Sequence, residues 1–210
     1  MNRILSIIAC WVVLLMSPQA RAADLAGLVS SLKAGGYVIV FRHVATDDSQ
    51  KDVYPFKFDD MTAQRQLSEA GRETARQLGT AIKRLGVPVG EVYTSKLNRA
   101  VETGKLLTGR DTSPVDELTD SGAANASAMA SPDGKNAKFG RVLRDLANTT
   151  PKAGLNTLAV THKTNIADAF GKDFADVREG EALVFKPSPS GQPVLVGRVQ
   201  ASEWIAQAGS

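Results

Sequence analysis

Apolar and polar positions alternate along this chain in blocks that predict helices and strands in turn. Asp24 to Lys33 reads as a short amphipathic helix, ended by Gly35-Gly36. Tyr37 to Phe41 is an unbroken β-branched and aromatic run, the pattern of a strand buried on both faces. A polar segment follows from Thr46 to Gln66, carrying Asp47, Asp48, Asp59 and Asp60 and the aromatics Tyr54, Phe56 and Phe58. Loops of that length in a compact domain are usually functional or mobile. Ser68 then fits an N-cap, and Ala70, Thr74, Leu78, Ala81, Ile82 and Leu85 share one face of a helix stopped by Gly86. Val92 to Thr94 reads as a short strand. Leu97, Ala100, Val101, Gly104 and Leu107 read as the inner face of another helix.

Residues 111–138 are loop-like, and Phe139, Val142, Leu143 and Leu146 mark a further helix. Leu158 to Val160 is the next buried strand, followed by a short helix from about Asn165 to Phe170. Ala182–Phe185 and Val194–Val196 flank Ser188-Pro189-Ser190-Gly191, the pattern of a hairpin. Strands alternating with helices predict a three-layer α/β/α domain, an open and mostly parallel sheet with an antiparallel C-terminal edge.

The N-terminus lies outside this alternation. Arg3 precedes an apolar run from Ile4 to Met16, and then comes Ser17-Pro18-Gln19-Ala20-Arg21-Ala22. This is the pattern of a secretory signal peptide, residues 1–22, cut after Ala22, with one domain over 23–210. The run is short for a bilayer span, so no stable membrane insertion is expected after cleavage. The expected destination is the periplasm or the medium. Cleavage removes Arg3, Arg21 and no acid, so the formal net charge falls from +3 to +1. The basic balance of the full chain therefore does not point to nucleic acid. Cys10, the only cysteine, leaves with the same segment, so stability rests on the core rather than on disulfides. Two histidines and no cysteine supply few zinc ligands; no metal and no cofactor are expected.

Candidate chemistry sits where the strands end, the edge at which open α/β sheets bind ligands. The first strand runs into Arg42-His43, the second into Thr94-Ser95 with Arg99 one helical turn on, and the third into Thr161-His162. Both histidines of the chain land at strand ends beside two arginines. Guanidinium groups offer planar donors to phosphate oxygens, helix N-termini add N–H groups, and imidazole adds a nucleophile or proton carrier.

On these residues the chain resembles the histidine phosphatase superfamily, whose fold is phosphoglycerate mutase-like. Arg42-His43-Val44-Ala45-Thr46 is similar to its Arg-His-Gly signature, and Leu67-Ser68-Glu69-Ala70-Gly71 to its Leu-Thr/Ser-x-x-Gly motif. Ser95-Lys96-Leu97-Asn98-Arg99-Ala100-Val101-Glu102-Thr103-Gly104 is similar to Ser-x-Leu-x-Arg-Ala-x-x-Thr-Ala. Leu158 to His162 is similar to the strand ending in the second histidine. The four motifs come in the family's order between Tyr37 and about Phe185. The resemblance implies His43 as a nucleophile forming a phosphohistidine. Arg42, Arg99 and His162 would form the phosphate pocket, with Thr46 close by, and no metal would be required. Two nearby guanidinium groups also keep the His43 lone pair free.

Three positions depart from the family pattern: Val44 replaces Gly, Gly104 replaces Ala, and Lys163 follows the second histidine where relatives carry Gly or Asp. Asp120 stands at the family's acid spacing. Asp116, Glu117, Asp47 and Asp48 are alternatives, and a pocket without an acid remains open. Thr46 and Ser95 are either pocket residues or caps. Tyr54, Phe56 and Phe58 either wall the substrate site or pack the loop. Lys163 either aids phosphate binding or is solvated, Glu181 either contacts substrate or is a solvated strand-edge residue, and Trp204 is expected in terminal packing. The resemblance implies a phosphomonoester hydrolase releasing inorganic phosphate; with the signal-peptide pattern it is expected to be exported and to act on a phosphorylated small molecule or envelope glycan. The alternative is a phosphate- or phosphosugar-binding envelope protein that keeps the pocket without turnover.

Overall fold

The computed structural model describes residues 18–119 and 136–210. The elements are α1 (Pro18–Lys33), β1 (Val38–Arg42), α2 (Glu69–Arg84), β2 (Val89–Ser95), α3 (Asn98–Thr108), β3 (Ser113–Val115), α4 (Ala137–Ala147), β4 (Asn156–Thr161), α5 (Lys163–Phe170), β5 (Ala182–Lys186), β6 (Val194–Val199) and α6 (Ala201–Gly209). They form one six-stranded sheet in the order β3-β2-β4-β1-β5-β6. The strands β3, β2, β4 and β1 are mutually parallel, while β5 and β6 are antiparallel. The mostly parallel sheet with an antiparallel C-terminal edge is therefore present.

Strand alternation divides the core. Ile39, Phe41, Leu158, Val160 and Val184 face α1, α2, α3 and α6. Val38, Val40, Ala159, Leu183 and Phe185 face α4 and α5. A strand covered on both sides must be apolar at every position, which is why Val38 to Phe41 shows no polar gap.

Several expectations shift. In α2 the buried face is Gly71, Ala75, Leu78, Ala81 and Ile82, so Ala70 and Thr74 lie off it. Ser68 is the N-cap as expected, its hydroxyl accepting from Gly71 N–H at 3.0 Å. Gly71 has a reason of its own: a Cβ there would overlap the Ala45 carbonyl, so glycine lets α2 lie against the segment that follows His43. The expected loop 111–138 contains β3, whose Ser113-Pro114-Val115 is too short and proline-broken to read as a strand. Proline is tolerated there because β3 is the sheet edge. The chain ends in a helix, α6, that the apolar pattern does not mark; it carries Trp204, whose terminal packing is fully buried in the core, and is opened by a reciprocal cap between Gln200 and Glu203.

Trp204 Nε1 has no hydrogen-bond partner among the described residues, so this side chain acts by packing alone. Trp204→Ala is expected to cost about 3–5 kcal/mol in urea unfolding. Trp204→Phe should cost far less, because it also removes an unpaired N–H. Equal losses would show that the indole nitrogen matters.

Candidate active site

Three parallel strands deliver the site to one edge of the sheet. β4 lies between β2 and β1, and Arg42 pairs in register with Thr161. The ladder continues one step further, with His43 N–H donating to Thr161 O at 3.0 Å. His43 and His162 therefore leave adjacent strands side by side, their ring centroids 5.2 Å apart. Both are buried, at 2% and 3% exposed.

The tautomer of His43 follows from its partner. Nδ1 lies 2.8 Å from Val44 O, and a carbonyl can only accept, so Nδ1 carries the proton and Nε2 the lone pair. Burial, then Arg99, pushes the His43 pKa down to about 3 against the smaller upward pull of Val44 O; Arg42 and Arg65 push in the same direction as Arg99. His162 Nε2 meets Ser95 Oγ at 2.7 Å, while its buried Nδ1 has no partner among the described residues. Its pKa is also held well below the usual value, first by burial and then by Arg99.

Arg42 is held by Val177 O at 2.9 Å and Glu179 at 3.1 Å. Arg99, 2% exposed, donates from Nη1 to Asp52 Oδ1 at 2.9 Å. The turn that holds Arg42 is itself braced. Arg198 pairs with Glu181 at 2.7 Å and with Asp176 at 2.9 Å, and the Glu181 carboxylate also accepts from Arg178 N–H. Glu181, expected at a solvated edge, is thus buried and structural.

The remaining sequence candidates divide. Thr46 forms a single bridge with Leu67 that ties the start of the long loop to the second motif; no contact of its hydroxyl with the histidines occurs among the described residues. Ser95 does both jobs open to it, accepting from Leu97 N–H at 3.1 Å and orienting His162. Asp120 lies outside the described residues. Asp47 is exposed and accepts from Ser49 N–H and hydroxyl, which hold its carboxyl below the usual range. Glu117 pairs with Lys138 at 3.1 Å, chiefly responsible for holding its carboxyl low; Asp116 pairs with Lys96 at 2.5 Å. Asp48 lies 3.8 Å from Arg65 Nη1. Lys163 is exposed at the start of α5.

The departures from the motif pattern are absorbed by packing. Val44 is 1% exposed within the α2-side core, so its side chain points away from the pocket's polar groups. At Gly104 a Cβ would meet the methyls of Thr94 and Thr112 at 2.9 Å, so those threonines take the space an alanine would need.

Two functional residues were missed. Asp52 is the carboxylate that touches Arg99, and it also accepts from Arg65 N–H at 2.9 Å. Arg65 is a third cation near the site: its charge adds a smaller downward push on both histidines and on Arg42, and its Nε is unpaired among the described residues. The one sequence signal for Arg65 is its place two residues before Leu67; Asp52 has none.

Folded His43 and His162 bind protons only at lower pH than in the unfolded chain. As pH falls from about 6.5 toward about 3, the unfolded chain protonates first and stability drops through that window. Urea midpoints across it should fall for the wild type and fall less steeply for His43→Gln. Arg65→Ala is expected to raise KM for a phosphate ester roughly tenfold, by loss of a charge-assisted contact; an unchanged KM would remove it from the pocket.

Residues 38–121 match the model described as histidine phosphatase superfamily (branch 1). No curated protein matches the sequence significantly. Among solved structures, the protein histidine phosphatase SixA complexed with tungstate superposes with a TM-score of 0.55 at 16% identity, covering 79% of this chain and 97% of that one. Phosphoserine phosphatase from Entamoeba histolytica with 3-phosphoglyceric acid gives 0.52 at 15% identity, over 80% and 98%. The alpha-ribazole phosphatase from Shigella flexneri gives 0.51 at 20%, over 80% and 96%. At these identities the structural likeness speaks to the fold. The family match covers residues 38–121, and over that stretch the chain is similar to the histidine phosphatase superfamily, while the solved structures share its fold.

Proposed function

We propose that the protein is a metal-independent phosphomonoester hydrolase that works through a phosphohistidine on His43 and is exported to the cell envelope. The observation that carries this is the 2.8 Å contact from His43 Nδ1–H to Val44 O. It presets Nε2 as an unprotonated nucleophile beside Arg42, Arg99 and Arg65.

The phosphoryl oxygens take donors from Arg42 and Arg99, with the unpaired Nδ1 of His162 available to a further oxygen. His43 Nε2 attacks phosphorus. The N–P bond forms as the P–O bond to the leaving group breaks, and that bond's electron pair stays on the leaving oxygen, which takes up a proton. The imidazolium that results strengthens the Nδ1–H contact with Val44 O. Water then attacks phosphorus, the N–P pair returns to Nε2, and inorganic phosphate leaves with loss of the water's proton. Positioning and charge supply most of the catalysis in such a transfer. The substrate is a phosphorylated small molecule or envelope glycan. Export rests on residues 1–22; the core residues of α1, Val29 and Leu32, lie beyond the expected cut.

A second reading, a phosphate-binding protein without turnover, is favoured by one observation. The described acid candidates Asp47, Asp116 and Glu117 are all engaged away from the histidines.

One experiment separates the two. The purified protein is incubated with p-nitrophenyl phosphate in chelator, quenched in denaturant, and analysed for an acid-labile, base-stable phosphoryl adduct. An adduct that turns over and is absent in His43→Ala is expected. No adduct and no turnover, with phosphate binding still lost in Arg42→Ala, selects the binding protein. Intact mass of the secreted form should begin at Ala23; an uncleaved N-terminus in the envelope fraction overturns the export reading.

A further inference from the structure

The large exposed apolar side chains among the described residues fall in two places: β6, and a short stretch of the long loop holding Val53, Tyr54, Phe58 and Met61. The loop stretch is ordered within itself. Tyr54 meets Phe56 edge-on with centroids 5.7 Å apart, and Phe56 meets Phe58 at 6.3 Å. Exposed aromatics on a loop cost solvation free energy and ordinarily mark a binding surface.

Both ends of this strip are fastened to the phosphate clamp. At its start, Asp52 accepts from Arg99 Nη1 and from Arg65 N–H. At its end, the fully buried Gln64 donates to the Lys57 and Phe58 carbonyls, each at 2.9 Å, and accepts from Asn98 N–H at 2.9 Å. Asn98 opens α3, and Arg99 is the next residue. The Lys96 ammonium lies over the Phe58 ring at 5.7 Å, one residue from Ser95, the partner of His162. The strip from Tyr54 to Phe58 is thus a bracket whose two feet stand beside Arg99. The exposed charges on the rest of the loop are mixed, Asp47, Asp48 and Asp59 beside Lys51 and Lys57.

We infer that Tyr54 and Phe58 form a stacking wall beside the phosphate pocket, and that the substrate is the phosphomonoester of a flat, uncharged aromatic group. The inference rests on the reading of Arg42, Arg99 and His43 as the phosphate pocket. Ring quadrupoles favour offset or edge contacts between aromatic groups over contacts with a saturated ring of the same size. In this arrangement Tyr54 and Phe58 would act on the leaving group, while Arg42 and Arg99 hold the phosphoryl oxygens.

Binding of nonhydrolysable phosphonates tests this without turnover. Calorimetry on the purified full-length chain compares methylphosphonate, cyclohexylmethylphosphonate and benzylphosphonate. Benzylphosphonate is expected to bind roughly tenfold more tightly than methylphosphonate and about threefold more tightly than the cyclohexylmethyl compound. Phe58→Ala and Tyr54→Ala should remove most of the benzyl advantage and leave methylphosphonate unchanged; both side chains are exposed, so the fold is expected to survive. Equal affinity for all three ligands overturns the inference, as does parity of benzyl and cyclohexylmethyl, or an equal loss for every ligand in both variants. If no phosphohistidine forms but benzylphosphonate still binds with this preference, the hydrolase reading fails and the aromatic wall stands. If the adduct forms and the preference is absent, the wall fails and the hydrolase stands.

Discussion

The pairing of β1 with β4 is the constraint on which the rest of the site depends. Because the strands are parallel and in register at Arg42 and Thr161, the residues that follow them emerge as neighbours, and His43 donates back into the ladder through Thr161 O. An antiparallel pair would send the two histidines to opposite edges. A slip of one residue would turn one ring to the other face of the sheet. The apolar run Val38 to Phe41, buried on both sides, holds that register by making any slip expose core side chains.

The second constraint is charge. Burial and the three arginines Arg42, Arg99 and Arg65 all disfavour protonation of both histidines. Each arginine has a carboxylate: Glu179 for Arg42, Asp52 of the long loop for Arg99, and the more distant, exposed Asp48 of the same loop for Arg65. These pairs lie at the protein surface or partly buried, so their value is less in net stability than in holding the guanidinium groups in one arrangement.

The framework around the pocket shows how motif positions earn their identity from packing. Gly71 is required by the Ala45 carbonyl, and Gly104 by the methyls of Thr94 and Thr112. Val44 fits where the family signature has glycine because its side chain enters the core. Glu181 is buried rather than solvated, and Trp204 packs from the terminal helix into the core, since the C-terminal strand and helix fold back onto the sheet and bring their own cover.

Local pattern was enough for the alternating elements and the parallel sheet with its antiparallel edge, and it put Arg42, His43 and His162 where apolar runs stop; Arg99, inside a helix, was singled out only by the motif around it. Local pattern was not enough for β3, whose three residues carry a proline and hold only through pairing with β2. Nor could it locate Asp52 and Arg65, which sit in a loop without periodicity and gain meaning from what they touch. The protonation of His43 belongs to the same class: the sequence supplies an imidazole next to an arginine, but the choice of Nε2 as the free nitrogen comes from the Val44 carbonyl, and the low pKa from burial. Short-range spacing determined which residues reach the sheet edge; contacts between segments far apart in the chain decided their charge, their tautomer and their partners, because hydrogen bonds and desolvation act through space and not along the sequence.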